Sequence, residues 1–255
     1  MPTPSLRTEE LTIRFGGHAA VNGVTCAFVP GELTAIVGPN GAGKTTWFNL
    51  VSGQLTPTHG RVLLDGADVT GLPPSARAAA GIGRAFQLTN LFPKLSVIEN
   101  VRLAVQARKR VGAVFLRRAS SFGGLKREAE SYLEMTRLTT VADLPAAALP
   151  HGDQRKLEVA LLLAMEPKVF MFDEPTAGMS VDEAPVILDL IAEIRKDSTR
   201  TILLVEHKMD VVRALADRIV VLHNGELVAD GKPDEVMALP VVREIYLGIG
   251  AEAGS

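Results

Sequence analysis

Cysteine is almost missing from this 255-residue chain: Cys26 stands alone, so no internal disulfide can form. A buried thiol in a reducing compartment is the expected state. Long apolar runs are missing too. The longest, Val159 to Met165, falls far short of the roughly 18 residues that span a bilayer. The first residues show no basic-then-apolar leader, so work at a membrane is expected to need another polypeptide. Nor is there an excess of one charge. The net charge is -2, with 22% of residues charged, which gives no global pull toward nucleic acid or anionic lipid. The local basic cluster, Arg108-Lys109-Arg110 with Arg117-Arg118, reads as a solvated or membrane-proximal face, and no nucleic-acid partner is expected. The five histidines lack a common metal-ligand spacing, so a zinc site is not expected. Internal repeats and low-complexity tracts are absent.

What is present is a chain with 47% apolar residues, enough for one large α/β domain or a core with a smaller lobe. The first third reads as strands: 11–15, 24–28, 33–37 and 62–64, then 81–86, broken by Gly17, Pro30-Gly31 and Asp65-Gly66. From 96 to about 134 the pattern turns helical, with a glycine-containing break at 120–124. Residues 153–165 place Leu157, Ala160, Leu161 and Ala164 at helical spacing. Strands 169–172 and 201–205 flank a helix over 181–196, an alternation that argues for parallel pairing. Asn224-Gly225, between strands 217–222 and 226–230, predicts a hairpin. A short helix over 241–247 closes the chain.

The stretch Gly38-Pro39-Asn40-Gly41-Ala42-Gly43-Lys44-Thr45-Thr46 fits G-x-x-x-x-G-K-[ST] in full, between a strand and the helix 45–51. Its glycines allow a tight loop with backbone N–H groups pointing inward. The helix that follows adds its positive end, a geometry that favours a triphosphate. Lys44 then reaches the β- and γ-phosphates, and the Thr45 hydroxyl completes a Mg²⁺ shell.

The strand Val169-Phe170-Met171-Phe172 ends in Asp173-Glu174, at the carboxyl edge where parallel sheets place ligands. Asp173 is suited to Mg²⁺, and Glu174 to orienting and deprotonating an attacking water. Gln87 follows strand 81–86, where a neutral donor and acceptor reaches a metal ion or the water; an ordinary surface glutamine is the alternative. His207 follows strand 201–205 and is placed to donate to a γ-phosphate and hold Glu174, or else to lie on the surface. Gly152, in Leu149-Pro150-His151-Gly152-Asp153, offers the N–H groups of a helix start, or marks a plain entry turn.

In this order the segments resemble the ATP-binding subunit of ABC transporters over about residues 6–248. The resemblance implies an α/β fold: a P-loop NTPase core with a parallel sheet, an antiparallel β subdomain and an inserted helical lobe. The implied domain covers 6–250, with the core at 6–86 and 166–232, the lobe at 87–165 and a helical tail at 233–250. It implies ATP hydrolysis with Mg²⁺ at Thr45, Gln87 and Asp173, and catalysis by Glu174, His207, Gln87 and Lys44. Phe15 is implied to stack on adenine, and Gly152 to meet ATP held by a second ATPase. The family's usual Leu-Ser-Gly-Gly-Gln is here Leu-Pro-His-Gly-Asp, so Pro150 removes a hydroxyl donor. The loop at Met179-Ser180 also lacks the usual aspartate.

Gly83-Arg84-Ala85-Phe86-Gln87, Leu91-Phe92-Pro93, Val97-Ile98-Glu99-Asn100, Gln154-Arg155-Lys156-Leu157-Glu158 and Tyr246-Leu247-Gly248 are similar to the ATPases of branched-chain amino acid importers. Importers of urea or short amides, and the ATPase of lipopolysaccharide export, are the nearest alternatives. The implied partners are membrane permeases meeting residues 87–100, a second ABC ATPase or a second copy, and, indirectly, a solute-binding protein. The implied location is the cytoplasmic face of the cell membrane. A DNA- or ribosome-acting ATPase and a non-catalytic regulatory subunit are the readings outside transport.

Overall fold

A computed structural model describes residues 3–85, 91–109, 120–180 and 182–247. In chain order it forms β1 (Leu6–Phe15), β2 (His18–Phe28), β3 (Leu33–Val37), α1 (Lys44–Ser52), β4 (His59–Leu64), β5 (Ala67–Asp68), α2 (Pro74–Ala80) and β6 (Ile82–Ala85). Then come α3 (Val97–Arg108), α4 (Ser120–Met135), α5 (His151–Met165), β7 (Val169–Asp173), α6 (Ala184–Arg195), β8 (Thr201–Val205) and α7 (Met209–Leu215). The chain closes with β9 (Arg218–His223), β10 (Glu226–Gly231), α8 (Pro233–Ala238) and α9 (Pro240–Leu247).

Contacts divide these elements into two compact units. The first holds residues 1–82, 168–174 and 195–255, and contains two sheets. One is antiparallel, in the order β2-β1-β4-β5. In the other, β10-β9-β3-β8-β7 lie side by side. There β3 pairs in parallel with both β8 and β9, and β7 in parallel with β8, as the strand–helix–strand alternation predicted. Every residue of β3, β7 and β8 is buried, which is why these strands read as continuous apolar runs without alternation. A cluster including Phe28, Trp47, Phe48, Val169 and Leu203 fills the unit. Fully burying such a side chain is worth about 1.5–3 kcal/mol. Cys26 is buried in the same cluster, and burial pushes its thiol up to about 12.

The second unit holds residues 83–167 and 175–194. Its core joins Val97, Val101 and Val105 of α3, Leu125, Ala129 and Leu133 of α4, and Leu157, Ala160 and Ala164 of α5. These side chains recur at three- and four-residue intervals, so each helix turns one stripe inward. Three expectations need correction here. Ser120–Gly124 is not a break: α4 begins at Ser120. And α5 begins at His151 rather than Asp153, with Pro150 as its cap and Gln154 N–H donating to the Pro150 carbonyl at 3.0 Å. The helix read as 181–196 is shorter, Ala184–Arg195.

The nucleotide-type site at the strand ends

Register brings the first unit's chemistry to one edge. Asp173 of β7 lies opposite Val205 of β8, while Ile36 of β3 also pairs with Val205. Three chain segments therefore leave the sheet together at its carboxyl end: Gly38 onward, Glu174, and Glu206-His207. The Glu174 N–H donates to the Val205 carbonyl at 3.0 Å, and Glu174 itself takes φ 51, a left-handed conformation uncommon for a residue with a Cβ. Its carboxylate meets the His207 ring nitrogen Nε2 at 2.7 Å. His207 is aimed by its neighbour, because the buried Glu206 carboxylate accepts from the His207 N–H at 2.7 Å and the Lys208 N–H at 3.2 Å.

Across from this pair the loop 38–43 is shaped by glycine. Gly38 has φ 149, and a Cβ there would collide with the Leu222 carbonyl. Gly43, the cap of α1, has φ 96, and a Cβ would come 2.5 Å from the Ala20 carbonyl and 3.2 Å from Gly225. The Asn224-Gly225 hairpin turn thus buttresses the loop, and the Gly225 N–H donates to the Ala42 carbonyl at 3.1 Å. No side chain caps the N-terminus of α1, which leaves its N–H groups and positive end facing the loop. Lys44 is buried, and its Nζ donates to the Gly38 and Pro39 carbonyls at 2.7 and 2.9 Å. Burial lowers its pKa, while the Glu174 and Asp173 carboxylates push the other way.

A cleft of about 190 Å³ collects His18, Ala20, Asn40 through Thr46, Glu174 and His207. Its donors suit a phosphate chain: backbone N–H groups, one ammonium and two imidazoles. The oxygens of Thr45 and of Asp173, buried at the end of β7, are hard ligands of the kind Mg²⁺ takes alongside water and phosphate. Among the described residues no cluster of three or more His, Cys, Asp or Glu side chains converges as a metal cage, and Mg²⁺ in phosphate sites needs none.

Not every expected residue joins this cleft. Phe15 ends β1 with 53% of its surface exposed and does not line it, although its register partner His18 does. Gln87 lies outside the described residues. Gly152 sits in the other unit, in the first turn of α5. A Cβ there would run into the Glu183 carboxylate, which accepts from the Ser180 N–H at 3.2 Å and hydroxyl at 3.0 Å. These bonds, first the backbone one, hold Glu183 below the usual carboxylate range.

Sequence reasoning missed His18, Ala20 and Glu183. The first two reach the cleft through the β1–β2 hairpin, and no local motif marks them. For Glu183 a signal existed: Ser180 with Glu183 three residues on is a capping-box pattern ahead of α6.

A protein-family model described as ABC transporter matches residues 21–177. The high-affinity branched-chain amino acid transport ATP-binding protein BraF of Pseudomonas aeruginosa is 39% identical over 255 residues, covering 97% of this chain and 99% of the relative. The transport ATP-binding protein LivG of Escherichia coli K12 is 39% identical over 253 residues, with 97% and 99% covered. Among solved structures, the ADP conformation of an ATP-binding cassette of an ABC transporter matches with a TM-score of 0.80 at 28% identity, covering 96% of this chain and 99% of that one. A dimeric post-hydrolysis cassette bound to ADP and Pi matches with a TM-score of 0.76 at 25% identity, covering 89% and 98%.

Proposed function

The chain belongs to the ABC transporter family, and from that premise we propose that it is the ATP-hydrolysing subunit of an importer for branched-chain or other hydrophobic amino acids. The observation that carries the chemistry is the meeting of Lys44, Glu174 and His207 around one glycine-walled cleft. ATP lies with its phosphates along residues 38–46. Lys44 trades its loop carbonyls for the β- and γ-phosphates, and the Thr45 hydroxyl and Asp173 carboxylate would hold Mg²⁺. That ion, when bound, neutralises charge developing on the phosphoryl oxygens. Glu174 accepts the proton of the attacking water, and His207 keeps the carboxylate aimed while facing the γ-phosphate. Gln87 completes the set, and Phe15 stacks on the base from its exposed strand end.

In this reading the domain spans 6–250. Its ATP-binding core is 6–86 with 166–232, followed by the helical lobe 87–165 and the tail 233–250. Gly152 serves the opposite ATP, on a second ABC ATPase subunit or a second copy. Pro150 offers no hydroxyl there, and a hydrogen bond to a charged group contributes about 1.5–3 kcal/mol. A related second ATPase is therefore the favoured partner, pairing this chain's own hydrolytic residues with a fuller signature segment.

No helix among the described residues is long and apolar enough to cross a membrane. Membership of a transport family supports a subunit that acts from the cytoplasmic face through permeases. A surface suited to them is built in the helical unit. Phe92, Leu95 and Leu144 are exposed, and buried Asn100 fixes the loop that presents the first two. Its amide accepts from the Phe92 N–H at 2.8 Å and donates to the Phe92 and Ser96 carbonyls at 3.1 and 2.9 Å.

The test is affinity purification of the tagged chain from gently solubilised native membranes, with mass identification of its companions. The expected set is two permeases and a second ATPase, with an amino-acid receptor. A receptor for urea, short amides or another solute class would replace the proposed cargo, and recovery of no membrane protein would reject the transport role.

A further inference from the structure

Three surfaces meet at the turn between β9 and β10. The first is β2. Its register with β1 slips between Ile13, opposite Val21, and Arg14, opposite Ala19, which leaves Ala20 as the extra residue of a bulge. A bulge bends its strand and re-aims what it carries, and Ala20 lines the cleft beside His18. The second surface is the phosphate loop, where a Cβ on Gly43 would come 2.5 Å from the Ala20 carbonyl oxygen. The third is Gly225, buried in the turn. A Cβ on Gly225 would come 2.8 Å from the same Ala20 oxygen and 3.2 Å from that of Ala19.

The turn is also bonded to both neighbours. The Gly225 N–H donates to the Ala42 carbonyl at 3.1 Å, and the Gly225 carbonyl accepts from the Asn22 N–H at 2.8 Å. One residue thus gives a bond to the phosphate loop and takes one from β2. Just beyond it, Nδ2 of Asn22 donates to the Glu226 carboxylate at 2.8 Å, latching β10 to β2.

We propose that this turn is a spacer: Gly225 and Asn22 are positioning residues that set the distance between the phosphate loop and the β1–β2 hairpin. This rests on the proposed reading, with phosphates on residues 38–46 and the base held by the hairpin that runs from Phe15 to His18. Neither Gly225 nor Asn22 lines the cleft. They act on a ligand long enough to reach both walls, whereas a bare phosphate chain reaches the loop alone. The three atoms nearest an added Gly225 methyl all belong to β2, so Gly225→Ala presses on the hairpin and spares the loop.

The experiment titrates MgADP and magnesium pyrophosphate into the intact chain, comparing wild type, Gly225→Ala and Asn22→Ala. MgADP affinity is expected to weaken roughly tenfold in Gly225→Ala, the scale of an overpacked contact. In Asn22→Ala it should weaken roughly two- to fivefold, the scale of one exposed hydrogen bond. Pyrophosphate affinity should stay within about twofold of wild type in both. Should Gly225→Ala fail to fold, Asn22→Ala, which removes one exposed bond, carries the comparison. Equal weakening of the two ligands, or unchanged MgADP affinity, would overturn the spacer role and leave the phosphate site standing. Wild type that bound no MgADP would overturn the phosphate-site reading, and this inference with it. Wild type that bound pyrophosphate as tightly as MgADP would overturn the hairpin's hold on the base, with the same consequence.

Discussion

Glu174 leaves β7 in a left-handed conformation that costs a residue with a Cβ about 1–3 kcal/mol. The gain lies in direction, since this turn sends the carboxylate to His207 at 2.7 Å instead of continuing along the strand. Glu206 then fixes the His207 backbone through its own carboxylate. Aim therefore depends on a short chain of polar contacts, and its first link is the imidazole. Replacing His207 with alanine frees the Glu174 side chain without removing the base. ATP turnover is expected to fall roughly 10²-fold, the lower end of what a positioned base contributes. Affinity for MgADP, which has no γ-phosphate, should stay within about twofold of wild type. Phosphate release and nucleotide titration on the same preparation check both halves.

At the scale of elements, α1 has two differently finished ends. Its N-terminus opens on the phosphate loop through Gly43, with no side-chain cap. Its C-terminus is closed by buried Arg77 of α2, whose guanidinium donates to the Leu50 and Val51 carbonyls at 2.6 and 2.7 Å, and to those of Leu72 and Thr70 at 3.1 and 2.6 Å. A cation on the last carbonyls also complements the helix dipole. Burial lowers the Arg77 pKa, yet four carbonyl acceptors compensate for the lost water. Arg77→Met keeps much of the bulk and strands those carbonyls, so stability should drop by about 2–4 kcal/mol. A urea midpoint shifted down at constant m-value is the check.

Neither Arg77 nor α2 was legible in the sequence. The seven residues Pro74–Ala80 make barely two turns and bury only Arg77, so no apolar period marks them. The short α7 and α8 were missed as well, α7 despite its buried Val212 and Leu215, because seven residues or fewer give too little period to read. By contrast β3 and β8 were legible to the residue, because a strand buried on both faces has no other composition open to it. The glycines of 120–124 misled in the opposite direction. Leu125, Ala129 and Leu133 put one stripe of α4 into the core, and that packing outweighs a propensity cost of about 1 kcal/mol per glycine.

Across the whole molecule, the legible part of the site was whatever sits in one contiguous motif or directly follows a buried strand. Residues 38–46, Asp173, Glu174 and His207 qualify, since parallel pairing at matched register carries their strand ends to one edge. His18 does not. It reaches the loop from a hairpin, and its sequence neighbourhood gives no hint of a phosphate site. On the proposed reading the helical unit's Gly152 segment serves a site completed by another subunit, and one chain alone would leave both composite sites half made.

ATP-driven association is therefore the central claim. Sedimentation velocity of the Glu174→Gln protein with MgATP, alone and mixed with the second ATPase that co-purifies, tests it most directly. ATP bound but not cleaved should hold a stable dimer, which MgADP should not. A protein that binds MgATP and remains monomeric in both preparations would contradict the account.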